Sequence, residues 1–163
     1  MSSLRLPQPT SHQKRQRPGA QVAALKLLAR RDFAVAELHE RLLAQGYDED
    51  PVQAAIAELV ASGALNDARY AQNYVAYQAG RGQGPYRIGA ELRGCGVAPE
   101  LVTAALAGGP DWSVLALDVC RGKFGANPPK NWPEKARQAR FLQYRGFSSD
   151  HIRAATGADP DLD

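Results

Sequence analysis

The chain has 163 residues, is 44% hydrophobic and 23% charged, and carries a formal net charge of +3. No apolar run is long enough to cross a membrane and no leader pattern opens the chain, so a soluble, cytoplasmic protein is expected. Two cysteines, Cys95 and Cys120, are too few and too far apart for a disulfide framework or a metal centre, and read as small buried or half-buried apolar residues.

In chain order, residues 1–19 hold four basic side chains (Arg5, Lys14, Arg15, Arg17), no acid and almost no apolar spacing, which predicts a disordered basic arm. Val22, Leu25, Leu28 and Ala29 then share a helical face, predicting a helix from Gln21 to about Arg31. A second helix over 35–45 carries Val35, Leu38, Leu42 and Leu43. A third over 51–62 carries Val52, Ala55, Ile56, Leu59 and Val60, and Gly63 closes it.

Asn66 is placed to cap a fourth helix running to Ala79, with Tyr70, Tyr74 and Tyr77 on one face. At this spacing the tyrosines read as core rather than as a base-stacking stripe. Asp67 beside the cap favours the positive end of the helix dipole and is expected to pair with Arg69 or an arginine of the next unit. After the breaker 80–85 comes a helix with Ile88 and Leu92, then one with Val102, Ala105 and Leu106 that ends at Gly108 and Gly109. A seventh helix starts near Asp111 with Val114, Leu115, Leu117 and Val119. Residues 122–133 read as a long Gly/Pro-rich loop. Pro133 opens a helix with Ala136, Ala139, Phe141 and Leu142, and a last helix from Ser148 bears Ile152.

A repeat orders these elements. Gly46, Gly96 and Gly146 are spaced by fifty residues; Leu42, Leu92 and Leu142 precede them by four. Tyr47, Val97 and Phe147 follow by one, and Val52, Val102 and Ile152 by six. A helix ending just before each glycine needs a left-handed residue there, and the flanking apolar pair makes the contact of a Schellman ending. Asp48 and Ser148 then cap the next helix, so that Tyr47 and Phe147 staple onto Val52 and Ile152. In the middle copy Pro99 and Glu100 offset the poor cap Ala98. The expected fold is all-α: an elongated, curved array of three tandem three-helix repeats over 20–63, 64–109 and 110–157, followed by an acidic tail at 158–163.

The runs from Ala36-Glu37-Leu38 through Gly46, from Leu65-Asn66-Asp67 through Ala71, from Arg81-Gly82 through Glu91-Leu92, and from Arg140-Phe141-Leu142 through Phe147 together resemble the bacterial RecX family. The resemblance covers roughly residues 20–157 and rests on the order and spacing of these runs rather than on any one of them. It implies three tandem three-helix units that bind the RecA recombinase filament on DNA. A member represses RecA's ATPase and strand exchange and limits filament growth; it is a regulator, not a catalyst. Two departures bear on the third unit: its Gly/Pro-rich loop, and Gln138 where the first two copies have Leu38 and Ile88.

No catalytic, metal or cofactor site is expected. His39 and His151 fall on outer helical faces and His12 lies in the arm, so no acid, base and nucleophile converge. Gly82-Gln83-Gly84 lacks both the preceding strand and the following Lys-Ser/Thr of a phosphate loop, and reads as a connection. Charge is strongly segregated: residues 120–153 have eight basic side chains against Glu134 and Asp150. Arg81, Arg87, Arg93, Lys135, Arg137, Arg140, Arg145 and Arg153 are therefore the candidate contacts to a RecA filament or to single- or double-stranded DNA. A monomer is expected. The alternative is an autonomous helix-turn-helix-like DNA binder; against it, the body without the arm's +4 has a net charge of −1, too little for tight duplex binding on its own.

Overall fold

The computed structural model describes residues 17–158, so the arm before Arg17 and the acidic tail after Ala158 lie outside the described residues. Among the described residues there are nine helices and no strand: α1 (Ala20–Leu28), α2 (Val35–Ala44), α3 (Glu49–Ala61), α4 (Asp67–Gly80), α5 (Pro85–Gly94), α6 (Pro99–Ala107), α7 (Trp112–Phe124), α8 (Trp132–Arg145) and α9 (Ser149–Thr156). None is long and apolar enough to cross a membrane.

Each successive trio of helices closes over its own core, centred on Leu38, Leu42 and Val52 in the first, Ile88, Leu92 and Val102 in the second, and Leu142, Phe147 and Ile152 in the third. The cores lend one another residues. Leu65, just before α4, completes the first; Ala34, just before α2, belongs to the second; Trp112 and Leu115 touch both second and third.

The three corners are Schellman endings in full. Gly46, Gly96 and Gly146 have φ of 88°, 81° and 95°. Their N–H groups donate to Leu43, Arg93 and Gln143 carbonyls at 2.9, 3.0 and 3.0 Å, while Tyr47, Val97 and Phe147 reach back to Leu42, Leu92 and Leu142 at 3.2, 3.2 and 3.1 Å.

The corners also join the units. A Cβ placed on Gly96 would lie 2.6 Å from the Ala36 Cβ at the start of α2, and one on Gly146 would lie 2.4 Å from the Arg87 Cβ at the start of α5. Each corner is thus seated on the first turn of the preceding unit's middle helix. At the second junction two backbone bonds lock the seat, Gly84 N–H to Arg145 O at 2.8 Å and Tyr86 N–H to Gly146 O at 2.9 Å. Among the described residues no unit precedes the first corner. There Arg17 lies over the Tyr47 ring, 4.0 Å from its centroid, with its guanidinium bonded to the Gln45 carbonyl.

Several local expectations are corrected. On α1 the packed face is Ala20, Ala23 and Ala24, and Val22 and Leu25 are each 47% exposed. Leu27 and Leu28 pack half-buried against the same core, and Ala29 is exposed, so the small alanines let α1 lie close to α3 while Val22 and Leu25 turn outward. Val60 and Val114, expected on packed faces, are exposed as well. The loop expected over 122–133 shrinks to 125–131, because α7 continues through Gly122 to Phe124, whose ring meets Phe141 edge-on at 5.4 Å.

Asp48 sits at the N-cap of α3 but makes no side-chain cap bond, whereas Ser148 forms a capping box with His151. Among the described residues Asp67 pairs with no arginine: its Oδ1 accepts the Val35 N–H at 2.8 Å, capping the helix of the preceding unit, while Arg69 donates to the Gly63 and Ala64 carbonyls. Gln138 is 6% exposed and lies within the third unit, where its Oε1 accepts from the Cys120 thiol at 3.3 Å. The departure at Gln138 therefore concerns that unit's own packing, not its junction with the second. Burial pushes the Cys120 thiol pKa up, which keeps the thiol protonated as that donor.

Candidate partner interface at the junction of the second and third units

The seating of Gly146 on α5 brings together residues distant in sequence. The Arg145 guanidinium donates to the Arg81 carbonyl at 3.2 Å and lies 5.2 Å from the Phe141 ring centroid; Lys123, from the last turn of α7, lies over the same ring at 5.9 Å. Arg81 itself lies 5.7 Å from the Tyr77 ring. These residues border a cleft of roughly 400 Å3 whose walls also include Gly82, Asp118 and Val119. Among the described residues, none of Arg81, Lys123 and Arg145 is in an ion pair. Three cations held on aromatic rings without a carboxylate of their own are free to take an external anion.

On another side of the same junction Arg87 is shared between units. It donates to Glu91 at 3.3 Å and lies 5.9 Å from the Tyr144 ring of α8. Glu91 is fixed in turn by the Tyr74 hydroxyl at 2.5 Å, and Tyr74 stacks on Tyr70 with centroids 6.0 Å apart. Burial pushes the Tyr74 phenol pKa up, and its bond to the Glu91 carboxylate adds to this, so Tyr74 stays a donor at physiological pH. The tyrosine stripe is split: Tyr70 is buried, Tyr74 half-buried, and Tyr77 is 63% exposed beside Arg81. Tyr86 and Tyr144 are also among the most exposed large side chains, at 67% and 79%.

The three-helix units correspond one to one with known family models. The first three-helix domain of RecX matches residues 20–59, the second residues 66–106 and the third residues 114–156. The chain belongs to the RecX family. A regulatory protein RecX of Stenotrophomonas maltophilia is 39% identical over 155 residues, covering 94% of this chain and 95% of the relative. One of Halorhodospira halophila is 42% identical over 137 residues, covering 83% and 85%. In structure, RecX from Lactobacillus salivarius superposes with a TM-score of 0.73 at 21% identity, over 83% of this chain and 91% of that one.

Within this RecX-family fold the eight basic residues singled out from sequence do not form one patch. Arg81, Arg87 and Arg145 converge on the junction. Arg93 is exposed in the last turn of α5, with its guanidinium against Gly89. Arg137 lies over Phe124 at 5.4 Å, Arg140 is exposed on α8, Lys135 approaches Gly157, and Arg153 pairs with Asp150 at 3.0 Å. Lys123, Tyr77, Tyr86, Phe141 and Tyr144 were not singled out as contacts. The cation at 123 was hidden inside a stretch that reads as loop; a helical continuation across Gly122 would have revealed it.

His39 and His151 are both half-buried pins. His39 Nε2 is 2.7 Å from Glu49 Oε1, tying α2 to α3, and this bond is the main cause that lowers the Glu49 pKa. His151 Nδ1 accepts the Ser148 N–H at 3.2 Å, and burial lowers its pKa.

Proposed function

We propose that this chain is a negative regulator of homologous recombination and of the SOS response: it binds the RecA–DNA filament, in its groove, and inhibits RecA ATPase, strand exchange and filament growth. It acts by binding, not by chemistry of its own, as a cytoplasmic monomer. The observation that carries this reading is the junction of the second and third units, where unpaired Arg81, Lys123 and Arg145 stand beside exposed Tyr77 in a RecX-family array.

An array whose units repeat every fifty residues can engage successive subunits of a filament at once. The second and third contacts then form at high effective concentration, so moderate contacts at each unit give strong blockade. Excess protein is expected to suppress the ATPase of RecA on single-stranded DNA, and the double charge reversal Arg81→Glu/Lys123→Glu to weaken that suppression at unchanged helicity. An ATPase rate unaffected by a large excess of the unaltered protein would overturn the proposal.

A further inference from the structure

A second cavity, of roughly 630 Å3, opens between α4, α6 and the connection into α7, with walls of Val75, Ala79, Ala104, Ala105, Pro110 and Leu115. It is continuous with the basic cleft: Ala79, Gly80 and Leu115 line both. An aliphatic pocket therefore runs directly into a site with three unpaired cations.

We propose that this composite groove receives a linear segment of a partner protein in which an aliphatic side chain lies next to a short acidic run. The proposal rests on the partner-binding reading above and names the chemistry of what the junction takes. The aliphatic side chain fills the pocket, whose walls are mostly methyl and methylene groups, with Gln72 the one polar side chain and no cation for a phosphate. The acidic residues reach Arg81 and Arg145, whose guanidinium groups give bidentate carboxylate contacts, and Lys123, whose ammonium adds a point charge. Charge complementarity selects an acidic occupant, and the apolar half selects peptide over nucleic acid. Asp118, on the wall of the cleft, sharpens this, because it repels a continuous phosphodiester chain while a peptide can present a neutral residue opposite it.

The segment's order within the groove is left to the probes: a fluorescein-labelled peptide of two leucines, a glycine and alternating aspartates and glutamates, and the same composition in reverse. Binding of at least one is expected by fluorescence anisotropy. It should weaken tenfold or more when serine replaces the leucines, in the Arg81→Glu/Lys123→Glu variant, and in Ala104→Trp, which fills the pocket from its exposed rim. An oligothymidylate of equal charge should be insensitive to Ala104→Trp. Should Ala104→Trp lose helicity, Ala76→Trp on the α4 rim blocks the same pocket.

Peptide binding that ignores the leucines or the tryptophan, or no binding of either peptide, would sink the inference. An oligothymidylate that loses as much affinity as the peptide to Ala104→Trp would make the groove a nucleic-acid site and sink it equally. The outcomes separate from those for the proposed function. Failure of the peptides with RecA inhibition intact removes only the groove's occupant, and retained peptide binding without RecA inhibition removes only the RecA assignment.

Discussion

Replacing each corner glycine by alanine should give three different losses of stability, although the three have nearly the same backbone conformation. All are left-handed, at φ of 88°, 81° and 95°, so each variant bears about 1 kcal/mol for placing a Cβ there. At Gly46 little is added, since the nearest atom is the flexible Arg17 guanidinium at 3.3 Å. At Gly96 the new methyl meets Ala36 Cβ at 2.6 Å, which forces the corner off α2 and adds about 1–3 kcal/mol of overpacking. At Gly146 it meets Arg87 Cβ at 2.4 Å and Arg87 N at 2.7 Å, so backbone must move and the Tyr86-to-Gly146 bond is strained as well. The expected order of loss is Gly46→Ala, then Gly96→Ala, then Gly146→Ala, measured by urea unfolding followed by circular dichroism. Ala36→Gly in the Gly96→Ala background supplies the control: removing the opposing methyl should restore part of the stability, giving a coupling of about 1 kcal/mol or more in a double-mutant cycle. Equal losses at all three glycines, or strict additivity in the cycle, would refute the idea that the corners seat one unit on the next.

Asp67→Ala should cost about 1–2 kcal/mol by leaving the Val35 N–H at the first turn of α2 without its charged acceptor, and Asp67→Asn, which keeps an oxygen there, about half as much in the same unfolding assay. Burial lowers the His151 pKa from its ordinary 6.5, so the unfolded chain takes up the proton first. The stability this group contributes is therefore complete above pH 6.5 and is lost as the pH falls through its folded value, when Nδ1 can no longer accept from Ser148. Melting temperatures at pH 8 and pH 5 should differ less in His151→Gln than in the unaltered protein. Gln138→Leu, which restores the residue type of the first copy, should change stability by less than about 1 kcal/mol or raise it, because the partner lost is only a weak S–H donor; a larger loss in thermal melts would show that the buried amide organises the third unit.

What was legible in the sequence divides by range. A Schellman corner is written in residues within five positions of its glycine, so Leu42, Gly46 and Tyr47 and their two copies announce it locally. Which face of α1 is buried is not local. It depends on how near α3 can come, and the answer, Ala20, Ala23 and Ala24 flanked by Leu27 and Leu28, leaves out Val22 and Leu25, which helical periodicity alone had placed inside. The Asp67 cap on α2 and the seating of Gly146 on Arg87 join different units, and no periodicity within one unit can show them. The candidate interface has the same limit. Its charges were visible as residue types, but their convergence depends on a junction that only the folded chain makes.

That junction also shows how repeated units can differ in the charge they leave exposed. The two seats share one geometry, a glycine corner on the first turn of a middle helix, yet the residue beneath Gly96 is Ala36 and the one beneath Gly146 is Arg87. The first junction contacts through a methyl group and is sealed by Asp67, an acid spent on a backbone N–H. At the second, backbone bonds from Gly84 and Tyr86 hold the units together. Because main-chain groups hold that seat, Arg81 and Lys123 are not needed to close it and face the cleft with their charges unpaired. Repetition thus fixes where the junctions fall, and the way each one is fastened decides which is left with unpaired charge in its cleft.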